Sequence, residues 1–160
     1  MSNKLGKSQI ERFSRQLVLK NIGALGQKKI LSAKILIVGI GGLGCPAAEN
    51  LTRAGVGSIG LVDNDTVSIS NIHRQSLFNS SDIKKTKVNV AASKLKQINP
   101  LTRIKTYKSR LNENNIEKII KNPRSIKSIF HFGEFARIYQ SFINMNECMK
   151  SNSILSLIHI

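Results

Sequence analysis

Short apolar runs alternate with segments of helical spacing along most of the chain. Residues 34–38 form an apolar run that predicts a buried strand, and a glycine-rich turn after it leads into a helix over about 45–54. The run 58–63 predicts a second strand, and a helix is expected from about 84 to 99. The later predicted elements are strands at 102–107, 125–132 and 153–160 and helices at 112–121 and 136–150. This alternation predicts an α/β fold with a parallel sheet and right-handed crossovers.

The first thirty residues predict helices ahead of the first strand. Ser8 and Glu11 have the spacing of a capping box, in which each side chain accepts a hydrogen bond from the other residue's N–H group. A helix is therefore expected from Gln9 to about residue 20. Gly23 and Gly26 should end it, and a second short helical turn is expected at 27–32.

The turn after the first strand contains four glycines, Gly39, Gly41, Gly42 and Gly44. In such a loop one glycine makes a sharp turn, one lets the backbone approach a phosphate, and one lets helix and strand pack closely. The following helix N-terminus offers free N–H groups and partial positive charge to an anion. The loop predicts a nucleotide site, and a tight strand–helix connection without a ligand is the alternative.

Charged side chains follow the second predicted strand. Asp63 ends that strand, 19 residues after Gly44, where a carboxylate can accept hydrogen bonds from both hydroxyls of a ribose. Arg74 comes after the strand, and Lys87 lies in the first turn of the next helix. Cations of these two kinds stabilise a triphosphate and the charge that builds up in phosphoryl or nucleotidyl transfer. Each cation alone is typical of a solvated surface, so the prediction depends on their meeting at one sheet edge.

Composition places the chain of 160 residues among globular proteins, with 41% hydrophobic residues and no apolar run long enough to span a membrane. The polar first residues lack the apolar core of a secretory signal. Cys45 and Cys148 are too few for a disulfide framework or a four-cysteine zinc site, so we expect packed thiols in a reducing cytoplasm. The net charge of +16 comes from 25 Lys and Arg spread along the chain. We expect a solvated basic surface without a nucleic-acid or membrane partner, and recruitment of an acidic protein is the alternative.

Short motifs, among them the glycine loop, follow one another over more than half of the chain. They are Arg12-Phe-Ser-Arg-Gln16, Gly39-Ile-Gly-Gly-Leu-Gly44, Ala54-Gly-Val-Gly57, Leu61-Val-Asp-Asn-Asp65, Ser70-Asn-Ile-His-Arg-Gln75, Lys87 and Ile98-Asn-Pro100. Through them the chain resembles the ThiF/MoeB family, the bacterial relatives of ubiquitin-activating enzymes. The resemblance implies a Rossmann-like, mostly parallel sheet with helices on both faces and an N-terminal helical segment.

Members of that family use ATP and magnesium to adenylate the C-terminal glycine of a ubiquitin-like sulfur-carrier protein, for molybdopterin or thiamine synthesis. The resemblance implies this adenylyltransferase activity here, in a cytoplasmic homodimer. Arg74 and Lys87 would stabilise the charged transition state, and Arg15 would reach the site from the other subunit. Nucleotide contacts are implied for Gly39, Gly41, Gly42, Gly44, Asp63, Asp65, Ser70, Asn71, Arg74, Gln75 and Lys87.

The resemblance changes after about residue 122. The family has a strand that ends in an Asp-x-x-Asp-Asn-like motif, one Asp of which helps to bind magnesium. This chain has no Asp after Asp82, and His131 and Glu134 are the nearby substitutes. No metal ligand is therefore assigned. The family's later region, which includes paired CxxC zinc motifs, is expected to be missing.

These observations predict one incomplete nucleotide-binding domain over 1–160. It consists of an N-terminal helical segment at 1–33, a well-matched core at 34–121 and a divergent part at 122–160. A truncated, catalytically impaired nucleotide-binding fragment, produced by degradation, frame shifts or divergence, is one alternative to the active adenylyltransferase. An NAD-dependent oxidoreductase is another, but hydride transfer has no need for the 70–75 motif or for Lys87.

Overall fold

Four parallel strands form one sheet in the computed structural model, which describes residues 5–112, 114–120 and 130–132. The strands are β1 (Lys34–Val38), β2 (Ser58–Val62), β3 (Arg103–Tyr107) and β4 (Phe130–His131). Their order across the sheet is β3-β2-β1-β4. The chain therefore runs outward from β1 to β3 and then returns to the other side of β1. The predicted parallel sheet is confirmed for these strands.

The carboxyl ends of the strands lie level with one another. Val38 of β1 is in register with Val62 of β2 and with His131 of β4, and Val62 is in register with Tyr107 of β3. The loops after β1 and β2 consequently leave the sheet at the same edge. In open α/β sheets this edge binds ligands where the strand order reverses, which here is the position of β1.

Six helices and two 3-10 turns accompany the strands in the described residues. None of these helices has both the length and the apolar character needed to cross a membrane. The helices are α1 (Lys7–Arg12), α2 (Ser14–Leu17), α3 (Gly23–Ser32), α4 (Gly44–Ala54), α5 (Lys87–Ile98) and α6 (Ile116–Ile119), and the 3-10 turns are Ile69–Asn71 and Ser80–Asp82.

Both faces of the sheet carry apolar side chains, as the alternation along a strand requires. One face buries Ile37 and Leu61 against residues of α4 and α5, among them Ala48 and Leu95. The opposite face buries Val38 and Val62 with Leu111 and with two partly buried residues of α6, Ile116 and Ile119. Helices thus cover both faces, and the expected Rossmann-like fold is confirmed.

The predicted capping box at Ser8 and the single helix from Gln9 to about residue 20 are wrong. Helix α1 begins after Gly6, whose N–H group donates to Gln9 Oε1 at 3.0 Å. The helix then breaks at Phe13, which is 2% exposed and packs against Gly55. Tertiary packing of this one aromatic ring overrides the local helical pattern.

Other helix boundaries also differ from the sequence-based prediction: α3 begins at Gly23 and α5 at Lys87. Gly26 lies inside α3 and does not end a helix. The helix expected over 112–121 begins only at Ile116, because Asn112 Oδ1 accepts the N–H groups of Asn114 and Asn115 in place of a helical turn. The elements predicted at 136–150 and 153–160, together with Cys148, lie outside the described residues.

Candidate functional site

The glycines after β1 have separate structural roles. Gly39 has φ of 90°, a left-handed conformation that makes the sharp turn. A Cβ atom on Gly44 would lie 1.9 Å from the carbonyl oxygen of Gly39, so this glycine permits close packing of α4 on the turn. A Cβ atom on Gly41 would meet nothing within 4 Å. Gly41 therefore leaves open space in front of the loop.

The tip of this loop presents unpaired backbone donors. The N–H groups of Gly41, Gly42 and Leu43 have no hydrogen-bond acceptor in the described part of the chain. They precede α4, an 11-residue helix without a side-chain cap at its N-terminus. Open space, free N–H groups and the helix dipole together suit the loop to bind an anion such as phosphate.

Asp63 connects the loop after β1 with the loop after β2. Its Oδ2 accepts the N–H group of Ile40 at 2.7 Å, and its Oδ1 accepts the N–H group of Asp65 at 2.8 Å. The half-buried carboxylate thus fixes both loops relative to each other. Each oxygen retains a lone pair that can accept a hydroxyl donor, as a ribose would supply.

Lys87 is brought to the same edge by its contacts with Asp65. The Nζ atom of Lys87 lies 2.9 Å from Asp65 Oδ2, and the backbone N–H of Lys87 donates to the Asp65 carbonyl at 3.1 Å. A β-bridge between Thr66 and Thr86 holds the two segments together. The Lys87 side chain is only 6% exposed, whereas that of Asp65 is 59% exposed.

Arg74 lies against the glycine loop. Its Nη1 donates to the carbonyl of Ser70 at 2.6 Å, and a Cβ atom on Gly42 would lie 3.8 Å from Arg74 Cγ and Cδ. Asn71 shapes the 3-10 turn that precedes Arg74, because its Oδ1 accepts the N–H group of Ser68 at 3.0 Å. Asp63, Lys87 and Arg74 therefore gather at one edge of the sheet, as the sequence predicted.

Two other predicted site residues are placed differently. Gln75 is 3% exposed, and its Oε1 has no hydrogen-bond partner among the described residues, so its side chain lies beneath the loop surface. Arg15 is an exposed residue of α2, and no described hydrogen bond or ion pair joins it to the glycine loop. In the described residues no group of three His, Cys, Asp or Glu side chains could hold a metal ion.

Cys45 is the second residue of α4, the helix after the glycine loop, and is fully buried. Burial raises the pKa of its thiol to about 11, and its Sγ donates to the carbonyl of Ile40 at 3.6 Å. The thiol is therefore protonated near neutral pH. Because the thiolate is the reactive form, Cys45 is an unreactive residue that packs in the core, as expected.

Sequence reasoning did not find the contribution of Leu43 or the pairing of Asp65 with Lys87. The backbone N–H of Leu43 completes the row of free donors, and its side chain is 70% exposed. Such a backbone role has no signal in the residue type. The Asp65–Lys87 pair joins residues 22 positions apart, so only the fold reveals it.

The fold is Rossmann-like, and it has a glycine loop with free N–H groups, a carboxylate after β2 and two cations at the switch point, where folds of this class bind their ligands. The family model of the ThiF family matches residues 13–130, and the chain belongs to this family. The resemblance seen in the sequence motifs is thereby confirmed.

Curated relatives carry adenylyltransferase names. The chain is 46% identical over 116 residues to the adenylyltransferase and sulfurtransferase uba4 of Pyricularia oryzae, covering 72% of this chain and 24% of that protein. It is 39% identical over 115 residues to the sulfur carrier protein adenylyltransferase of Thermus thermophilus, covering 72% of this chain and 42% of the relative. The chain thus spans about a quarter of the length of the first relative and about two fifths of the second.

A solved structure shares the fold over most of the chain. The E. coli tRNA N6-threonylcarbamoyladenosine dehydratase TcdA in complex with AMP superposes with a TM-score of 0.75 at 26% identity, covering 93% of this chain and 59% of that one. The same protein has also been solved in complex with ATP. This structural neighbour therefore binds adenine nucleotides.

Proposed function

We propose that the chain binds ATP at the carboxyl edge of its sheet and transfers AMP to the C-terminal carboxylate of a ubiquitin-like sulfur-carrier protein. The observation that carries the proposal is the gathering of the glycine-loop N–H groups, Asp63, Arg74 and Lys87 at one edge. The names of the relatives and the nucleotide complexes of TcdA support it. Residues 34–121 form the nucleotide-binding core in this proposal.

Each part of the site has a role in binding the nucleotide. The N–H groups of Gly41, Gly42 and Leu43 donate to phosphate oxygens, and the Asp63 carboxylate accepts from the ribose hydroxyls. Gly39 and Gly44 set the loop conformation. Ser70, Asn71 and the buried Gln75 shape the segment that holds Arg74 against the loop.

The proposed reaction forms one bond and breaks another at the α-phosphorus. A carboxylate oxygen of the carrier attacks this atom, the bond to the bridging oxygen of the β-phosphate breaks, and pyrophosphate leaves with the electron pair. Arg74 and Lys87 stabilise the negative charge that develops on the phosphate oxygens. Arg15, contributed by a second copy in a homodimer, adds a third cation. The carrier of molybdopterin or thiamine synthesis is the proposed substrate, in the cytoplasm.

Magnesium fits this edge as an ion that the nucleotide carries. Mg²⁺ commonly keeps several waters and binds one or two carboxylates together with substrate phosphates. The phosphates bound at the glycine loop would hold such an ion. The ion, when bound, would neutralise phosphate charge.

Nucleotide binding without turnover is the second candidate function. It is favoured by one feature of the sequence: no Asp follows Asp82, so the aspartate that the family motif places after its next strand is missing. His131 ends β4 in register with Val38, at the position of that strand end. Binding of ATP without pyrophosphate exchange would identify this case.

ATP–pyrophosphate exchange with a sulfur-carrier protein tests the proposal. Arg74→Ala is expected to reduce the exchange rate about 100-fold or more, the usual loss when one charge-stabilising donor is removed. Arg53→Ala is the matched control, because Arg53 also contacts a residue four positions earlier but pairs with Glu49 on α4. Its exchange rate should equal that of the wild type.

Three results would contradict the proposal or its parts. Equal exchange rates for Arg74→Ala and wild type would exclude the role of Arg74. Binding without exchange would leave only the second candidate. Thermal stabilisation by NAD but not by ATP would favour the oxidoreductase.

A further inference from the structure

Lys87 is a buried cation whose charge is balanced by an exposed residue. Its side chain is 6% exposed, and Asp65 Oδ2, 2.9 Å from Nζ, is the carboxylate that neutralises it within the described residues. A buried ammonium group requires a counterion, since burial removes the water that would otherwise stabilise the charge. The Asp65 side chain, at 59% exposure, retains access to water.

The backbone of Asp65 is fixed independently of its carboxylate. Its N–H group donates to Asp63 Oδ1 at 2.8 Å, and its carbonyl accepts the N–H group of Lys87 at 3.1 Å. The side chain can therefore release Lys87 without disturbing the loop. Such a release costs little for the aspartate, because water can replace the lysine around an exposed carboxylate.

The ion pair between Asp82 and Lys94 has the opposite arrangement. In the Asp82–Lys94 pair the aspartate side chain is 8% exposed and the lysine 26% exposed. Asp82 also accepts the N–H group of Asn79 at 3.0 Å and lies 3.7 Å from Lys85 Nζ. That carboxylate is held from several sides, as expected of a structural pair, whereas Asp65 is held through its side chain by Lys87 alone in the described residues.

We propose that Asp65 is a positioning residue that acts as the exchangeable counterion of Lys87. It neutralises the lysine while no phosphate is present and yields to the phosphates of ATP when the nucleotide enters. This inference rests on the proposed ATP site. Since the phosphates and Asp65 compete for the same ammonium group, the carboxylate lowers the affinity for ATP but not for adenosine.

Calorimetric titration of Asp65→Asn with ATP and with adenosine tests the exchange. Asparagine retains the size of the side chain and both backbone contacts but removes the competing charge. The affinity for ATP should rise about tenfold, the size of one charge-assisted contact, while that for adenosine stays unchanged. In the double variant with Lys87→Met the gain should disappear.

Asp82→Asn is the matched control, because it removes an aspartate paired with a lysine elsewhere in the fold. It should leave both affinities unchanged. An unchanged or lower affinity for ATP in Asp65→Asn, with wild type binding ATP, would overturn the exchange but not the proposed function. Failure of the wild type to bind ATP would overturn both. A purely structural role would change the two affinities equally and would also overturn the exchange.

Discussion

Gly44 lies where the backbone of α4 passes directly against the turn after β1. A Cβ atom there would be 1.9 Å from the Gly39 carbonyl oxygen and 2.9 Å from its carbon atom. Both atoms belong to backbone that Val62 also holds, because the Gly39 N–H group donates to the Val62 carbonyl at 2.8 Å. The turn therefore cannot move away without breaking a contact between β1 and β2.

Gly44→Ala is expected to destabilise the protein by about 2 to 3 kcal/mol, because the added methyl group forces the turn apart. Urea unfolding monitored by circular dichroism measures the change. Gly41→Ala is the control, since its Cβ would meet nothing within 4 Å. A loss in Gly44→Ala no larger than in Gly41→Ala would contradict the packing role.

Sequence reasoning predicted the set of glycine roles but not which glycine has which role. The motif spacing indicates that one glycine makes a sharp turn, one lets the backbone approach a phosphate, and one lets helix and strand pack closely. Only the conformation of Gly39 and the surroundings of Gly41 and Gly44 assign them. Asp63 was predicted correctly as an edge residue, but its two backbone contacts could not be foreseen, because they depend on how two loops meet.

Among the elements, the 3-10 turn Ser80–Asp82 is fixed to α5 through a charge. Burial opposes ionisation of Asp82, but hydrogen bonds from Lys94 and the Asn79 N–H group and the nearby charge of Lys85 outweigh it. The pKa of Asp82 is consequently held below its ordinary value of 3.8. The ionised carboxylate therefore stabilises the fold above that value, and the contribution is lost as the pH falls through the folded-state pKa.

Asp82→Asn should lower the free energy of unfolding by roughly 2 kcal/mol near neutral pH, because it leaves Lys94 without its anion. The difference from wild type should shrink as the pH falls below 3.8 and passes through the lowered folded-state pKa of the wild-type carboxyl group. Urea titrations at neutral pH and at a series of acidic pH values measure this. Glu117→Gln, an exposed acid of α6, serves as control. A difference that is independent of pH would contradict the charge pairing.

The N-terminal helices are attached to the core by Phe13. Its ring is 2% exposed and lies so close to Gly55 that a Cβ atom there would be 2.5 Å from Phe13 Cζ. Gly55 ends α4 with φ of 93°, and Arg12 Nη1 donates to the Ile98 carbonyl at 3.0 Å. The N-terminal segment thus contacts the ends of both α4 and α5.

Phe13→Ala should destabilise the protein by about 3 to 4 kcal/mol, as for other buried phenylalanines, and should speed amide hydrogen exchange in α1–α3 before the sheet. Val18→Ala, at a position 79% exposed, should change neither quantity. If amide hydrogen exchange became faster to the same extent in the sheet and in α1–α3, the result would contradict the proposal that Phe13 attaches only the N-terminal helices.

The first two strands were predicted closely because their apolar runs and flanking glycines give a strong local signal. β1 occupies the predicted residues, and the predicted second strand differs by one residue from β2. The N-terminal helices were predicted poorly. The break at Phe13 follows from contacts with Gly55, which lies 42 positions away in sequence, and no local pattern indicates such a contact.

At the scale of the whole molecule, the site lies beside β1, the strand at which the strand order of the sheet reverses. The parallel sheet followed from the alternation of strands and helices, whereas the level register of the carboxyl ends had to be observed. The site residues meet because the loops after β1 and β2 leave the sheet at this one edge. Sequence motifs could name these residues, but only the register shows that they are neighbours.

One carboxylate ties the two loops of the site together. Asp63 holds the backbone of Ile40 on one side and of Asp65 on the other, using one oxygen for each. In the proposed nucleotide site, engineering for a different sugar could not begin at that position, since any replacement would also release the backbone of Ile40 in the glycine loop. Altered selectivity would have to come from neighbouring side chains, with the aspartate retained as a fixed point of the scaffold.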